Sequence, residues 1–201
     1  MNRYFNFIRN SLFLFLVFFI GGCGEVINKK LNSKNNYFDL KGLLESQILL
    51  LDSLQPDLSK VTVIDGLEEF QTLHLDSAGW AREMEIFFEA DINEPILKDA
   101  YELEEKDLGD SLTLMSYEAI DKKNAEIEFL KVFYPKNKDL PSHITAVFTE
   151  KNALYDSKRS LELNFKSDNN LHVLSGYSIE GIQKMLLKDT IYYKVRVKNL
   201  F

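Results

Sequence analysis

The sequence predicts an α+β domain: two N-terminal helices and a hairpin packed on a curved antiparallel meander sheet. Three observations carry that expectation. Leucines recur at helical spacing from residue 40 to residue 54. A β-branched run, Val61-Thr62-Val63-Ile64, meets an Asp65-Gly66 turn pair and an alternating segment that runs back from Glu68 to Leu75. From Ala100 onward, short alternating segments follow one another with turns too short to hold a crossover helix.

Helix one is read from Leu40, Leu43, Leu44, Ile48, Leu51 and Leu54, with Asp39 as its N-cap and Pro56 closing it. Leu49 and Leu50 broaden the apolar stripe, which predicts that much of the helix circumference is covered. Its polar face lacks the Lys/Arg density of a helix lying in a membrane interface, so core packing is the expectation. The hairpin follows, with Asp65-Gly66 as a type I′ turn. Ser77 is read as the cap of a second helix, Ala78–Asp91, with Trp80, Met84, Phe87 and Phe88 on one face. Asn93-Glu94-Pro95 stops it, and residues 96–99 form a short connection.

Eight strands are then predicted, over residues 101–103, 111–120, 125–134, 143–150, 154–165, 171–178, 182–187 and 190–198. Turn signals such as Asp121-Lys122-Lys123-Asn124 and Ser167-Asp168-Asn169-Asn170 separate them. The segment at 182–187 also suits a helix, because of Gln183-Lys184-Met185. An acidic cluster, Glu102, Glu104, Glu105, Asp107 and Asp110, lacks the spacing of a calcium loop and reads as a solvated loop.

Ahead of this domain stands a different kind of segment. Arg3 and Arg9 precede nine uninterrupted apolar residues, Leu12 to Ile20, and then Gly21, Gly22 and the single cysteine, Cys23. A basic start, a short apolar run and a small-residue exit are the parts of a secretory signal peptide. A membrane-spanning helix needs about 20 apolar residues, and nine are too few. The residues Ile20-Gly21-Gly22-Cys23 resemble the lipobox of bacterial lipoproteins. That resemblance implies cleavage after Gly22, a diacylglyceryl thioether on Cys23 and acylation of its new amine. A single acyl chain holds a protein only marginally, whereas two or three hold it durably. An ordinary buried thiol is the alternative for a free cysteine.

The expected organisation is therefore a signal peptide over 1–22, a lipidated Cys23 with a tether to residue 36, and one domain over 37–201. The tether is polar, rich in Asn and Lys, and without a period, and spans on the order of 40 Å when extended. Gly24, the second mature residue, is not Asp. By resemblance to lipoprotein sorting in Gram-negative cells, that favours the outer membrane, and the tether's single acid, Glu25, favours its periplasmic face. The YFDLKGLLESQ and YSIEGIQK segments resemble uncharacterised lipoproteins of the Bacteroidota, a resemblance that implies no activity.

Composition excludes several classes of function. The whole chain carries a net charge of −7, and because its first 22 residues hold two basic groups and no acid, the remainder carries −9. Nucleic acid calls for a basic footprint, so none is expected as a partner. With Cys23 lipidated no thiol is left for disulfides or thiol chemistry. His74, His143 and His172 stand singly, with no ligand spacing, and no HExxH, CxxC, GxSxG or phosphate-cradling loop occurs. No catalytic set, metal or cofactor is expected, and the protein is read as not an enzyme.

Asp52-Ser53-Leu54, Asp76-Ser77-Ala78, Asp110-Ser111-Leu112 and Asp189-Thr190-Ile191 resemble the O-glycosylation sequon of exported Bacteroidota proteins. That resemblance implies glycans on Ser53, Ser77, Ser111 and Thr190. Helix capping at Ser77 and turn chemistry at Asp110 and Asp189 are the plainer reasons for three of the sites. Two functions remain. One is a membrane-anchored periplasmic lipoprotein acting as a non-catalytic module that binds an envelope protein partner. The other is a carrier or sensor of a lipophilic ligand held between sheet and helices and lined by Trp80, Phe87, Phe88, Phe129, Phe133 and Tyr193. Nothing in the sequence marks an oligomeric state.

Overall fold

The computed structural model describes residues 36–200 apart from 110, 137, 169, 170, 187 and 199. The expected signal peptide, the lipobox and the tether before residue 36 lie outside the described residues. Within the described part, helix α1 spans Leu40–Leu54 and begins where Asp39 accepts a hydrogen bond from the Gly42 amide at 2.9 Å. It ends at Gln55, which takes a left-handed conformation (φ 48°) ahead of Pro56. Leu40, Leu44, Ile48 and Leu51 are buried, at helical spacing. Leu49 is 70 % exposed, so the apolar stripe is narrower than the sequence predicts.

Strands β1 (Asp57–Ile64) and β2 (Leu67–His74) form the expected hairpin, and both turn residues have positive φ, Asp65 at 48° and Gly66 at 84°. The hairpin is not packed on the sheet as predicted; it is part of it, because β1 pairs antiparallel with the last strand. Helix α2 spans Ser77–Phe88, three residues shorter at its end than the sequence predicts. Its N-cap is Asp76, not Ser77: the Asp76 carboxylate accepts from the Gly79 amide at 2.7 Å, and Ser77 is the first helical residue. Asp and Ser cap equally well, so adjacent candidates leave the choice to the backbone. A 3-10 turn, Pro95–Leu97, occupies the expected connection.

Seven further strands follow among the described residues: β3 (Tyr101–Asp107), β4 (Leu112–Ala119), β5 (Ile127–Pro135), β6 (His143–Lys151), β7 (Tyr155–Asp168), β8 (Leu171–Met185) and β9 (Ile191–Lys198). All nine lie in one antiparallel sheet, in the order β2-β1-β9-β8-β7-β6-β5-β4-β3. From β3 to β9 it is a meander in chain order. The segments predicted separately at 171–178 and 182–187 are one continuous strand, β8, paired along its length with β7. The acidic cluster is a strand rather than a loop: Glu102, Glu104, Glu105 and Asp107 lie on β3, an edge whose residues after Tyr101 are all exposed. Charged edges discourage pairing with another chain.

The helices cover one face of the sheet. Ile144, Ala146, Leu161, Leu163, Tyr177 and Val197 are buried from the sheet side; Leu44, Trp80, Met84 and Phe87 meet them from the helices. Burying each of the large aliphatic and Phe side chains among them contributes about 1.5–3 kcal/mol. Phe129 and Phe133, expected to line the space between sheet and helices, do not face it. A bulge between Ile127 and Phe129 adds a residue to β5, so Leu130 and Val132 are buried while Phe129 and Phe133 turn to the outer face. A second irregularity leaves Ser175 opposite no partner, between Leu174 and Gly176. There Gln47 of α1 reaches in, accepting from the Leu174 amide at 2.7 Å and donating to the His172 carbonyl at 3.1 Å.

Candidate functional site

The residue expected to carry the anchor, Cys23, lies outside the described residues. The four sequon residues are scattered. Ser53 is exposed near the end of α1, Ser77 is half-buried at the start of α2, Ser111 is exposed in the β3–β4 turn, and Thr190 is half-buried just before β9. The structure therefore builds no common site from them.

The lining expected for a lipophilic ligand is not assembled either. Trp80 and Phe87 are in the core and Phe88 is half-buried beside it, but Phe129 and Phe133 sit on the opposite side of the sheet. Where α1 and α2 meet the sheet, the space between Leu40, Phe87, Leu130 and Leu161 is about 10 Å³, which is room for at most one water. Interiors packed this closely hold no second molecule without displacing a helix.

A larger space is an open groove of about 410 Å³ across the outer face of the sheet, at the ends of β1, β9, β8 and β7. Val63, Val147, Ile182 and Tyr192 supply its apolar walls, and Lys158, Glu180 and Lys194 its charges. Strand alternation places these side chains together: Val63 stands opposite Lys194 across β1–β9, and Glu180 stands opposite Lys194 across β8–β9. The charges are paired. Lys194 bonds Glu180, and Lys158 Nζ donates to both oxygens of Glu128 at 2.8 and 2.9 Å. That ammonium, helped by the Thr149 hydroxyl, holds the Glu128 carboxyl below its ordinary range against the effect of burial. The groove thus offers an apolar floor and a neutralised rim, suited to an aliphatic or aromatic side chain of a partner. Nothing in the sequence joins Tyr192 and Lys194 to residues of β1 and β7; the strand order was the missing information.

A second polar cluster lies under the helices. Lys60 on β1 donates to both oxygens of Glu83 on α2 at 2.9 Å, and the Tyr177 hydroxyl on β8 donates to the same carboxylate. Burial pushes the Tyr177 phenol well above its usual range, and the Glu83 charge adds to the shift. The phenol is therefore a permanent donor at neutral pH. The cluster ties β1, α2 and β8 together. Sequence reading missed it; the signal was a lysine, Lys60, on the core phase of a β-branched strand.

The three histidines are each engaged locally. His74 Nδ1 is 2.7 Å from Asp57, His143 Nδ1 is 2.9 Å from the Asn164 side-chain oxygen, and His172 Nε2 is 2.7 Å from the Pro141 carbonyl. Phe165 stacks on the His172 ring at 4.9 Å. Among the described residues, no group of three or more His, Cys, Asp or Glu is placed to hold a metal ion. Among the described residues, no helix is long and apolar enough to cross a membrane. Neither a known protein family nor a curated protein matches the chain.

Proposed function

We propose that the protein is a lipid-anchored lipoprotein, held through Cys23 at the periplasmic face of the outer membrane, and that its domain binds an envelope protein partner without catalysing a reaction. The observation that carries the binding reading is the open groove of about 410 Å³ on the outer face, whose walls are apolar; the space between Leu40, Phe87, Leu130 and Leu161 under the helices is only about 10 Å³. Beside it, edge strand β2 exposes Phe70 on that same face, opposite Val61. Exposed aromatic and aliphatic anchors within a paired polar rim are the usual make-up of a protein-binding patch. The anchor reading rests on the lipobox residues Ile20-Gly21-Gly22-Cys23.

Two measurements test these halves separately. Cells fed radiolabelled palmitate should label the wild-type protein and leave Cys23→Ser unlabelled and released from membranes; an unlabelled wild type would end the anchor reading. A photo-crosslinking residue at Phe70 or Tyr192 should capture one reproducible envelope protein, while the same residue at Glu104 on the far edge should not. Capture of nothing at both positions would end the binding reading.

A further inference from the structure

We infer that the domain docks end-on against the bilayer that holds its anchor, through the loop ends nearest the tether. The inference rests on the lipid-anchor reading and adds an orientation to it. Because every strand pairing is antiparallel, the β1–β2, β4–β5, β6–β7 and β8–β9 connections all lie at one end of the sheet, and the remaining strand connections lie at the other.

Tyr37 and Phe38, among the first described residues, are fixed at the first of these ends. The Tyr37 amide donates to the Asn93 side-chain oxygen at 3.1 Å, Asn93 Nδ2 donates to the Phe38 carbonyl at 2.7 Å, and the Tyr37 hydroxyl accepts from the Tyr101 amide at 3.2 Å. Tyr101 is the first residue of β3, so the chain joins the domain beside the β4–β5 connection. The fourteen residues from Cys23 to Asn36 end at this fixed point.

The same end presents large aliphatic side chains to solvent. Leu67, Ile96, Ile120, Leu154 and Leu186 are 60–85 % exposed. Leu154 and Leu186 are neighbours, since the Leu186 amide donates to the Leu154 carbonyl at 2.8 Å. At the opposite end Leu108, Leu140 and Leu171 are 38–49 % exposed. The asymmetry favours the tether end. Lys122 and Lys123 beside Ile120, Lys151 near Leu154 and Lys188 near Leu186 supply long stems with cationic heads at the headgroup level. Asp65, Asp121, Asp156 and Asp189 balance them, so the contact is carried by apolar insertion rather than by attraction to anionic lipid. A weak contact is sufficient, because the anchor holds the loops near the bilayer at a high effective concentration.

The test uses the full mature lipoprotein reconstituted into phosphatidylethanolamine–phosphatidylglycerol vesicles. Lipidation consumes the Cys23 thiol, so a single introduced cysteine takes a nitroxide label at one chosen place. Labels at Leu154→Cys and Leu186→Cys should collide preferentially with oxygen, at depths on the order of 5–10 Å into the interface, while Leu108→Cys and Leu140→Cys remain accessible to aqueous nickel chelate. All four positions are exposed, and the fluorescence of buried Trp80 checks that each variant is folded. Vesicle-bound protein with aqueous labels at 154 and 186 overturns the docking and leaves the anchor standing. Labels immersed at both ends also overturn it. Protein that does not stay with the vesicles overturns the anchor and the docking together.

Discussion

The Tyr177 hydroxyl on β8 and the Glu83 carboxylate on α2 share a hydrogen bond in a cluster that Lys60 of β1 completes. Glu83 and Lys60 have side chains 17 % and 18 % exposed, so the ion pair is largely shielded from water. Truncating Glu83 takes the shared partner from both Lys60 and Tyr177 in a poorly solvated place, whereas removing the Tyr177 hydroxyl leaves the Lys60–Glu83 pair standing. Glu83→Ala is expected to cost about 2–3 kcal/mol, and Tyr177→Phe about 1–2 kcal/mol. Urea unfolding followed by Trp80 fluorescence measures both. A loss under 0.5 kcal/mol (about the level of an ordinary surface substitution) for Glu83→Ala would remove the cluster from the account of stability.

Alkaline pH provides an independent reading of the same tyrosine. Burial raises the Tyr177 phenol well above its usual range, and raises the phenols of Tyr101 and Tyr134 to about 12. A phenol with a folded pKa above its unfolded value of about 10 retains its full contribution below pH 10. Above that pH the unfolded chain loses the proton while the folded one keeps it, so stability falls. Folding stability should thus decline from pH 10 to about 12, where Tyr101 and Tyr134 ionise in the folded state as well. Tyr177→Phe should reduce the slope throughout that window. Denaturant midpoints measured at pH 8, 10 and 11 give the comparison, and equal slopes in the two proteins would contradict it.

Local signals were legible in the sequence because they depend on few residues. Asp39 ahead of a leucine period, and Asp65-Gly66 between alternating runs, act within one turn, and the structure has both. The partner of the hairpin was not legible, because joining β1 to β9 is a relation between residues more than 120 positions apart. Phase errors had the same origin. One extra residue at Ile127–Phe129 reverses which side of β5 faces the core, and a run such as Ile127-Glu128-Phe129-Leu130 alternates acceptably either way. The groove and the Lys60–Glu83–Tyr177 cluster stayed hidden for that reason: each gathers residues from three or more elements.

Gln47 supplies a prediction of the opposite kind, a buried polar group whose removal cannot be offset by an apolar isostere. Its amide pairs with the Leu174 amide and the His172 carbonyl beside the Ser175 irregularity, where no strand partner serves them. Gln47→Leu preserves volume yet strands both backbone groups. The expected loss is about 2–3 kcal/mol, with Gln47→Ala losing at least as much. Gln47→Leu matching the wild type in urea would mean that water replaces the amide there.

Two glycines on β8 separate backbone crowding from side-chain crowding. A Cβ on Gly176 would stand 2.6 Å from the Val197 carbonyl oxygen, a backbone atom fixed in the β8–β9 ladder. A Cβ on Gly181 would meet the ring of Tyr193, which lies over it. A half-buried tyrosine ring can rotate away, at the expense of its own contact; a paired strand cannot, since moving it breaks the hydrogen bonds that join β9 to the sheet. Gly176→Ala is therefore expected to destabilise by about 2–3 kcal/mol and Gly181→Ala by about 1 kcal/mol. The order is the sensitive part of the prediction. Because β9 carries the β1–β2 hairpin, strain at Gly176 should also loosen that hairpin, and amide exchange in Val61 and Val63 should accelerate in Gly176→Ala. Exchange unchanged at those residues would mean that the hairpin is held by α2 through Lys60 and Glu83 rather than by its ladder with β9.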